Sequence, residues 1–213
     1  MTDASGSDDL ALLVAWRAGD RARGNELFQR HIRHVSRFFR TKVPEAAEDL
    51  TQNTFLALVE LDPARLGVVP FRAYLFGIAR NQLLMHLRTK LRAAARFDPL
   101  IGSVRDAGAG PARLVARQEQ HVVLAQGLQR LPVDYQVALE LHYFEGMPLA
   151  EIAEVLGRPL GTIKSLLSRA REMLREHLEE LASSEELLTS IVGELERWMG
   201  GLPELVRGQE PTT

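Results

Sequence analysis

Lys164, Ser165, Ser168 and Arg169 fall on one side of a helical period, and Ile163, Leu167, Ala170 and Leu174 fall on the other. Hydroxyls and cations arranged in this way suit hydrogen bonding to phosphates and base edges of duplex DNA. The helix they predict follows a corner. Leu149, Ile152, Ala153 and Leu156 mark a first helix, and Gly157 supplies the left-handed residue of a tight turn. Pro159 suits the start of the second helix, where its missing N–H is not used. The stretch 148–171 has the spacing of a helix-turn-helix, a unit that lays its second helix in the major groove. No acid lies between Glu154 and Glu172, whereas Arg158, Lys164, Arg169 and Arg171 do. An ordinary helical hairpin with a solvated basic face meets the same pattern, so this stretch alone leaves both readings open.

A second group lies upstream. From Pro63 to Phe97 there are seven basic residues and no acid, interleaved with Phe71, Tyr74 and Phe76. Aromatic faces beside guanidinium groups are what a single-stranded DNA site needs, for stacking and for phosphates. Each of those aromatics serves a hydrophobic core equally well. Glu45, Glu48 and Asp49 open a helix after Pro44, where the macrodipole favours acids whatever else they do. His31 and His34 sit three apart with no third ligand in view, so both are expected on a solvated surface and no metal is expected. His121, His142 and His177 have no partnered spacing. There is no Gly-rich phosphate loop, no metal-ligand cluster and no Ser/His/Asp arrangement with sequence context. Neither an enzyme nor a cofactor is expected.

The elements that position these groups are helices throughout. Helical periodicity recurs over 9–42 with a break at Gly19-Asp20, from Pro44 to about Leu61, and from Phe71 to about Ala95. It resumes from about Ala112 to Arg130, from Val133 to Phe144, and through the corner already described. No strand-period segment of any length occurs, so the chain is predicted all-α, as two small helical domains joined by a flexible linker. The expected divisions are a disordered 1–8, an N-terminal domain 9–97, a Gly- and Pro-rich linker 98–111, a C-terminal domain 112–180 and an extension 181–213. The extension carries a capping-box pattern at Ser183 and Glu186, then an apolar stripe that must bury itself on this chain or on a partner.

Charge follows the same division. The whole chain of 213 residues is net −2, but residues 1–97 are net +5, 98–180 net −3 and 181–213 net −4. One-signed asymmetry argues for polyanion binding where average charge does not. Cysteine is absent, which removes disulfides and thiolate metal sites and suits a reducing cytoplasm. No apolar run reaches the length of a membrane span, and the acidic, polar start (MTDASGSDD) is unlike a secretory signal.

With both domains laid out, the sequence resembles a bacterial RNA polymerase sigma factor of the extracytoplasmic-function type, over residues 9–180. AEDLTQNTFLALVE is similar to that family's polymerase-binding helix, and FRAYLFGIARNQLLMHLR to its promoter-melting helix. The segment from LQRLPVDYQ to LREHL is similar to its C-terminal DNA-binding domain. The resemblance implies a dissociable specificity subunit of core RNA polymerase, acting on double-stranded and melted promoter DNA, with an anti-sigma factor as a further candidate partner. It implies polymerase contacts at Glu48, Asp49, Gln52 and Asn53. It implies minus-ten contacts at Arg72, Tyr74, Arg80 and Asn81, with a flipped base in the loop 62–70. Lys164, Ser165, Ser168 and Arg169 would read the minus-thirty-five element. Leu166 stands where the family often has Arg, Ser168 where it has a larger ring residue, Gly77 for a frequent Arg, Tyr74 for Trp and Asn53 for Glu. The other reading is a two-domain helix-turn-helix regulator acting on duplex DNA without polymerase.

Overall fold

The computed structural model describes residues 4–60, 69–90, 98–100, 102–105 and 119–200. Its N-terminal half is built on helices α1 (Ala4–Arg17), α2 (Arg21–Arg40), α3 (Ala47–Glu60) and α4 (Phe71–Lys90). Its C-terminal half is built on α5 (Glu119–Arg130), α6 (Val133–Leu139), α7 (Leu149–Leu156), α8 (Leu160–Leu181) and α9 (Glu185–Gly200). No strand occurs among the described residues, only isolated bridges such as Ser103 to Pro132. The all-α expectation holds.

Local signals explain the boundaries. Gly19 takes φ 100° and Asp20 accepts from the amides of Ala22 and Arg23, which starts α2 with a satisfied first turn. Pro44–Ala46 forms a single 3₁₀ turn that leads into α3. In α2, α3 and α4 the apolar positions at helical spacing are buried, among them Leu27, Val35, Phe39, Leu50, Leu58, Leu75, Leu83 and Leu87. Phe71 and Phe76 are 5% and 1% exposed, so both belong to the core and not to a stacking surface. Thr51 and Thr54 turn their hydroxyls back onto the carbonyls of Ala47 and Leu50, which lets polar residues share α3's buried face.

α1 begins at Ala4, inside the 1–8 stretch expected to be disordered. Asp8 and Asp9 both accept from Arg30, at 2.8 and 2.6 Å, and Asp9 also binds His31 Nε2 at 2.8 Å. His31 is therefore buried, 6% exposed and against the Phe71 ring, not on a solvated surface. Burial pushes the Asp9 carboxyl up, but hydrogen bonds from His31 and Arg30 outweigh it and hold it below the usual carboxylate range. The start of the expected linker is held as well. Gly102 N–H donates to Asp98 O, Val133 N–H to Gly102 O and Asp134 N–H to Pro99 O, and Val104 is fully buried. The described part of 98–105 is docked, because its carbonyls satisfy the orphan amides at the start of α6. Residues 106–111 lie outside the described residues, as do 61–68 of the expected base-flipping loop, 91–97 and 112–118.

The extension packs back on its own half as far as it is described. Ile191 is buried, and Leu187 and Leu188 pack against the core. In the first turn of α9, Ser184 Oγ accepts from Leu187 N–H at 3.2 Å.

Glycines at two helix positions differ in what surrounds them. A Cβ on Gly24 would lie 2.3 Å from the Trp16 ring where α1 crosses α2, whereas one on Gly77 would meet nothing within 4 Å. Gly24→Ala is expected to destabilise the chain by about 1–3 kcal/mol through overpacking. Gly77→Ala is expected to stabilise it by about 0.5–1 kcal/mol through helix propensity. Urea unfolding followed by circular dichroism reads both, and equal effects of the two substitutions would contradict the packing described.

Candidate nucleic-acid interface

The corner that the sequence marks is present in the fold. α7 ends at Gly157, whose φ of 63° and ψ of 40° are left-handed, and its open surroundings show that backbone conformation, not space, requires glycine there. α8 then starts after Pro159 with no side-chain cap. Ile163, Leu166, Leu167, Ala170, Leu174 and Leu178 of α8 are buried against α5, α6 and α7. Lys164, Ser165, Ser168 and Arg169 are all exposed, and Ser165 Oγ donates to Thr162 O at 2.9 Å. Leu166 belongs to the core, so the position where the resemblance suggests Arg serves packing here.

On α3, Glu48, Asp49, Gln52 and Asn53 are exposed and form a continuous stripe with Leu56, which is 61% exposed. Residues i, i+1, i+4 and i+5 share a helix face, so the apolar core face of α3 fixes this stripe toward solvent.

The four residues on α4 do not form one open surface. Asn81 is exposed and Tyr74 is half-buried against the core. Arg80 donates from Nε and Nη2 to Asp134 Oδ1, at 2.9 and 2.6 Å, and its side chain is 12% exposed. Asp134 also accepts from Arg158 Nη2 at 3.5 Å, which ties α4 to the helix-turn-helix corner through one buried carboxylate. Arg72 donates to Glu145 O at 2.7 Å and to its carboxylate at 3.3 Å.

Glu145 is the centre of this seam. Its side chain is 4% exposed, yet it binds His34 Nδ1 at 2.7 Å and Arg37 Nη2 at 2.6 Å as well as Arg72. Burial pushes its carboxyl up, but hydrogen bonds from His34 and Arg37 and the attraction of their charges overcome this, leaving the group at about 2. Beside it, Lys42 is fully buried and donates to Glu140 at 2.5 Å, to Phe38 O at 2.9 Å and to Thr41 Oγ1 at 3.3 Å. Gln136 Nε2 binds the other Glu140 oxygen at 2.9 Å. Burial drives the Lys42 ammonium below its ordinary value against the attraction of Glu140. The partners on both sides are what make so dry a pair tolerable.

A π-helical turn over Glu140–Phe144 aims both carboxylates at α2. On a regular helix, residues five apart point about 140° from one another. The wider turn, with Glu145 N–H bonded to Glu140 O, brings Glu140 opposite Thr41 and Lys42 while Glu145 meets His34 and Arg37. A water-sized cavity of about 60 Å³ lies between them, lined by Arg37, Phe38, Thr41, Glu140, Phe144 and Glu145. Sequence reasoning missed this seam. The only signal for it was the opposite net charge of the two halves, which does not say which acid meets which base.

This fold, with one polar face of α8 exposed, is that of a two-domain sigma-70-type protein. Residues 27–93 match the family model for Sigma-70 region 2, and residues 121–174 match Sigma-70, region 4. The chain is 32% identical to the ECF RNA polymerase sigma factor SigM of Bacillus subtilis, over 71% of this chain and 92% of that one. It is 31% identical to the ECF RNA polymerase sigma factor RpoE of Cereibacter sphaeroides, over 84% and 99%. Among solved structures it is similar to CnrH in complex with the cytosolic domain of CnrY, with a TM-score of 0.57 and 27% identity over 82% of this chain and 99% of that one. The fold is also that of RpoE in complex with the anti-sigma factor NepR from Bartonella quintana, with a TM-score of 0.55 and 24% identity over 73% and 96%. The chain belongs to the extracytoplasmic-function RNA polymerase sigma factors, which direct RNA polymerase to promoters. A regulator acting on duplex DNA without polymerase is not favoured. No helix among the described residues is long and apolar enough to cross a membrane.

The seam titrates in a defined direction. Because the folded Glu145 carboxyl lies at about 2 against an ordinary 4.5, its pairing contributes on the order of 3 kcal/mol above pH 4.5. That contribution is lost as pH falls from 4.5 toward 2. Glu145→Gln is therefore expected to be less stable than wild type at pH 7, with the gap closing over that acid range. Urea unfolding midpoints at stepped pH measure it, and a gap independent of pH would refute the pairing.

Proposed function

We propose that α8 reads the minus-thirty-five element from the major groove through Lys164, Ser165, Ser168 and Arg169. The supporting observation is that this face of α8 is exposed while its opposite face is locked in the core. A rigid helix presenting cations and hydroxyls can fix register by phosphate contacts and discriminate bases by its shorter side chains. Arg72, Tyr74, Arg80 and Asn81 act at the minus-ten element, where cations hold the backbone of the melted strand and Tyr74 supplies a ring. The exposed α3 stripe of Glu48, Asp49, Gln52 and Asn53 binds core polymerase, with Leu56 as its apolar centre. The protein acts in the cytoplasm as a subunit without catalytic groups of its own. The two structurally similar proteins bound to CnrY and to NepR support an anti-sigma protein as a further partner of this chain.

Lys164→Ala and Arg169→Ala are expected to weaken promoter binding by the reconstituted holoenzyme while leaving association with core polymerase unchanged. A lost phosphate contact also lowers the salt dependence, by about 1 in the slope of log K against log salt. Asp49→Ala is expected to weaken core association instead. Footprinting and competition for core polymerase separate the two effects, and an unaltered footprint for both α8 variants would count against the docking proposed.

A further inference from the structure

We propose that Leu160 selects a thymine in the minus-thirty-five element, by packing its side chain on the C5-methyl group that thymine presents in the major groove. The inference rests on the minus-thirty-five reading of α8 and adds to it a specificity-determining residue and the base it selects. Leu160 is the first residue of α8 and is 46% exposed, whereas Ile163, Leu166, Leu167, Leu174 and Leu178 of the same helix are at most 5% exposed. Its isobutyl group therefore adds little to the core. It stands one turn before Lys164 and two before Ser168, on the edge of the polar face. In a helix-turn-helix, the N-terminal residues of the second helix are those that reach base edges.

Single exposed leucines are common on protein surfaces, so exposure by itself assigns nothing. Two further observations single this one out. Gly161 is helical, and a Cβ built on it would meet nothing within 4 Å, so neither backbone conformation nor internal space requires glycine there. Glycine weakens a helix relative to alanine, and its remaining use is the close approach of backbone to a ligand. With Pro159 before it and Gly161 after it, Leu160 is the long aliphatic side chain at the tip of α8. The second observation is what this face lacks. The planar forks that read a base edge through two hydrogen bonds belong to Arg, Asn and Gln, and none of these occurs from Pro159 to Ser168. Lys164 is a single charged point, Ser165 and Ser168 are short hydroxyls, and Leu166 is in the core. Hydrogen-bond discrimination at the tip is thereby weak. In the major groove the apolar group that distinguishes one base from the others is the thymine methyl, which leaves an aliphatic tip one base to recognise.

The test uses reconstituted holoenzyme on duplex DNA. The probe is the most enriched duplex that wild-type holoenzyme selects from a pool carrying a randomised promoter-length segment. Thymines on both strands of its minus-thirty-five element are then replaced, one at a time, by deoxyuridine, which keeps every hydrogen-bonding group and removes only the methyl. One such replacement is expected to weaken wild-type binding by about fourfold, the worth of one buried methyl. Leu160→Ala is expected to bind the parent duplex more weakly than wild type and to bind the thymine and deoxyuridine forms equally. Leu160→Met, which keeps an apolar side chain of similar size, is expected to retain the methyl effect. Selection repeated with Leu160→Ala is expected to lose the thymine preference at that position and to keep the rest of the element.

A selected element made of G·C pairs alone, or wild-type binding indifferent to deoxyuridine at every position, overturns the proposal. So does a methyl effect of full size in Leu160→Ala, which would assign the thymine to another residue. Loss of core association in Leu160→Ala, with its selected sequence unchanged, would overturn it in favour of a polymerase contact. The underlying reading is judged separately, by footprints of the holoenzyme carrying Lys164→Ala and Arg169→Ala. Unaltered footprints there remove α8 from the groove. Altered footprints together with no methyl effect leave α8 in the groove and sink the Leu160 contact alone. Circular dichroism of each variant accompanies the binding curves, and the exposure of Leu160 leads us to expect native spectra.

Discussion

A buried carboxylate is stable only where donors surround it, and the way this fold meets that demand at Glu145 governs how its halves are joined. His34 and Arg37 come from α2, Arg72 from α4, and the acid itself from the end of the π-helical turn. Removing one donor leaves the others partly to compensate, but removing the acid leaves three cations or donors facing each other. The neighbouring Lys42–Glu140 pair makes the same demand in a drier setting. Burial of such pairs adds little to net stability compared with apolar packing of equal volume. In this arrangement of the halves the donors around Glu145 and Glu140 are satisfied together.

α8 shows the opposite arrangement. It is anchored by an apolar face spread along most of its length, and Lys164, Ser165, Ser168 and Arg169 on its polar face are exposed. Lys164 and Arg169 can therefore meet an external anion from solvent. Arg72 and Arg80 cannot. This difference between two basic surfaces of one chain arises from what each packs against, not from their composition, which is similar.

Several residues were legible in the sequence because a local rule fixed them. Gly157 had to be left-handed at the corner, Gly19-Asp20 had to break the helix, and the periodicity of Ile163, Leu167, Ala170 and Leu174 set which face of α8 was free. The stripe from Glu48 to Asn53 came instead from the family resemblance, and the buried positions around it turn it toward solvent. Others were misread because their partner is remote. His31 looked like a surface residue until Asp9, 22 positions away, was placed beside it. The stretch from Asp98 looked like a free linker because its glycines and prolines have no periodicity, yet its carbonyls answer amides of α6. Phe71 and Phe76 could have stacked on bases or filled a core, and burial decided for the core.

The sequence alone determined the all-helical class, the corner between α7 and α8, and the family, because each depends on short-range spacing and on strings of neighbouring residues. It also carried the charge difference between the halves. Only the tertiary structure decided that Glu145 meets His34, Arg37 and Arg72, that Asp134 meets Arg80, and that Lys42 is buried. Those pairings join residues from 54 to 111 positions apart. Coulomb attraction has no sequence period, so nothing in the order of residues reveals which acid a given arginine will reach once the helices have packed.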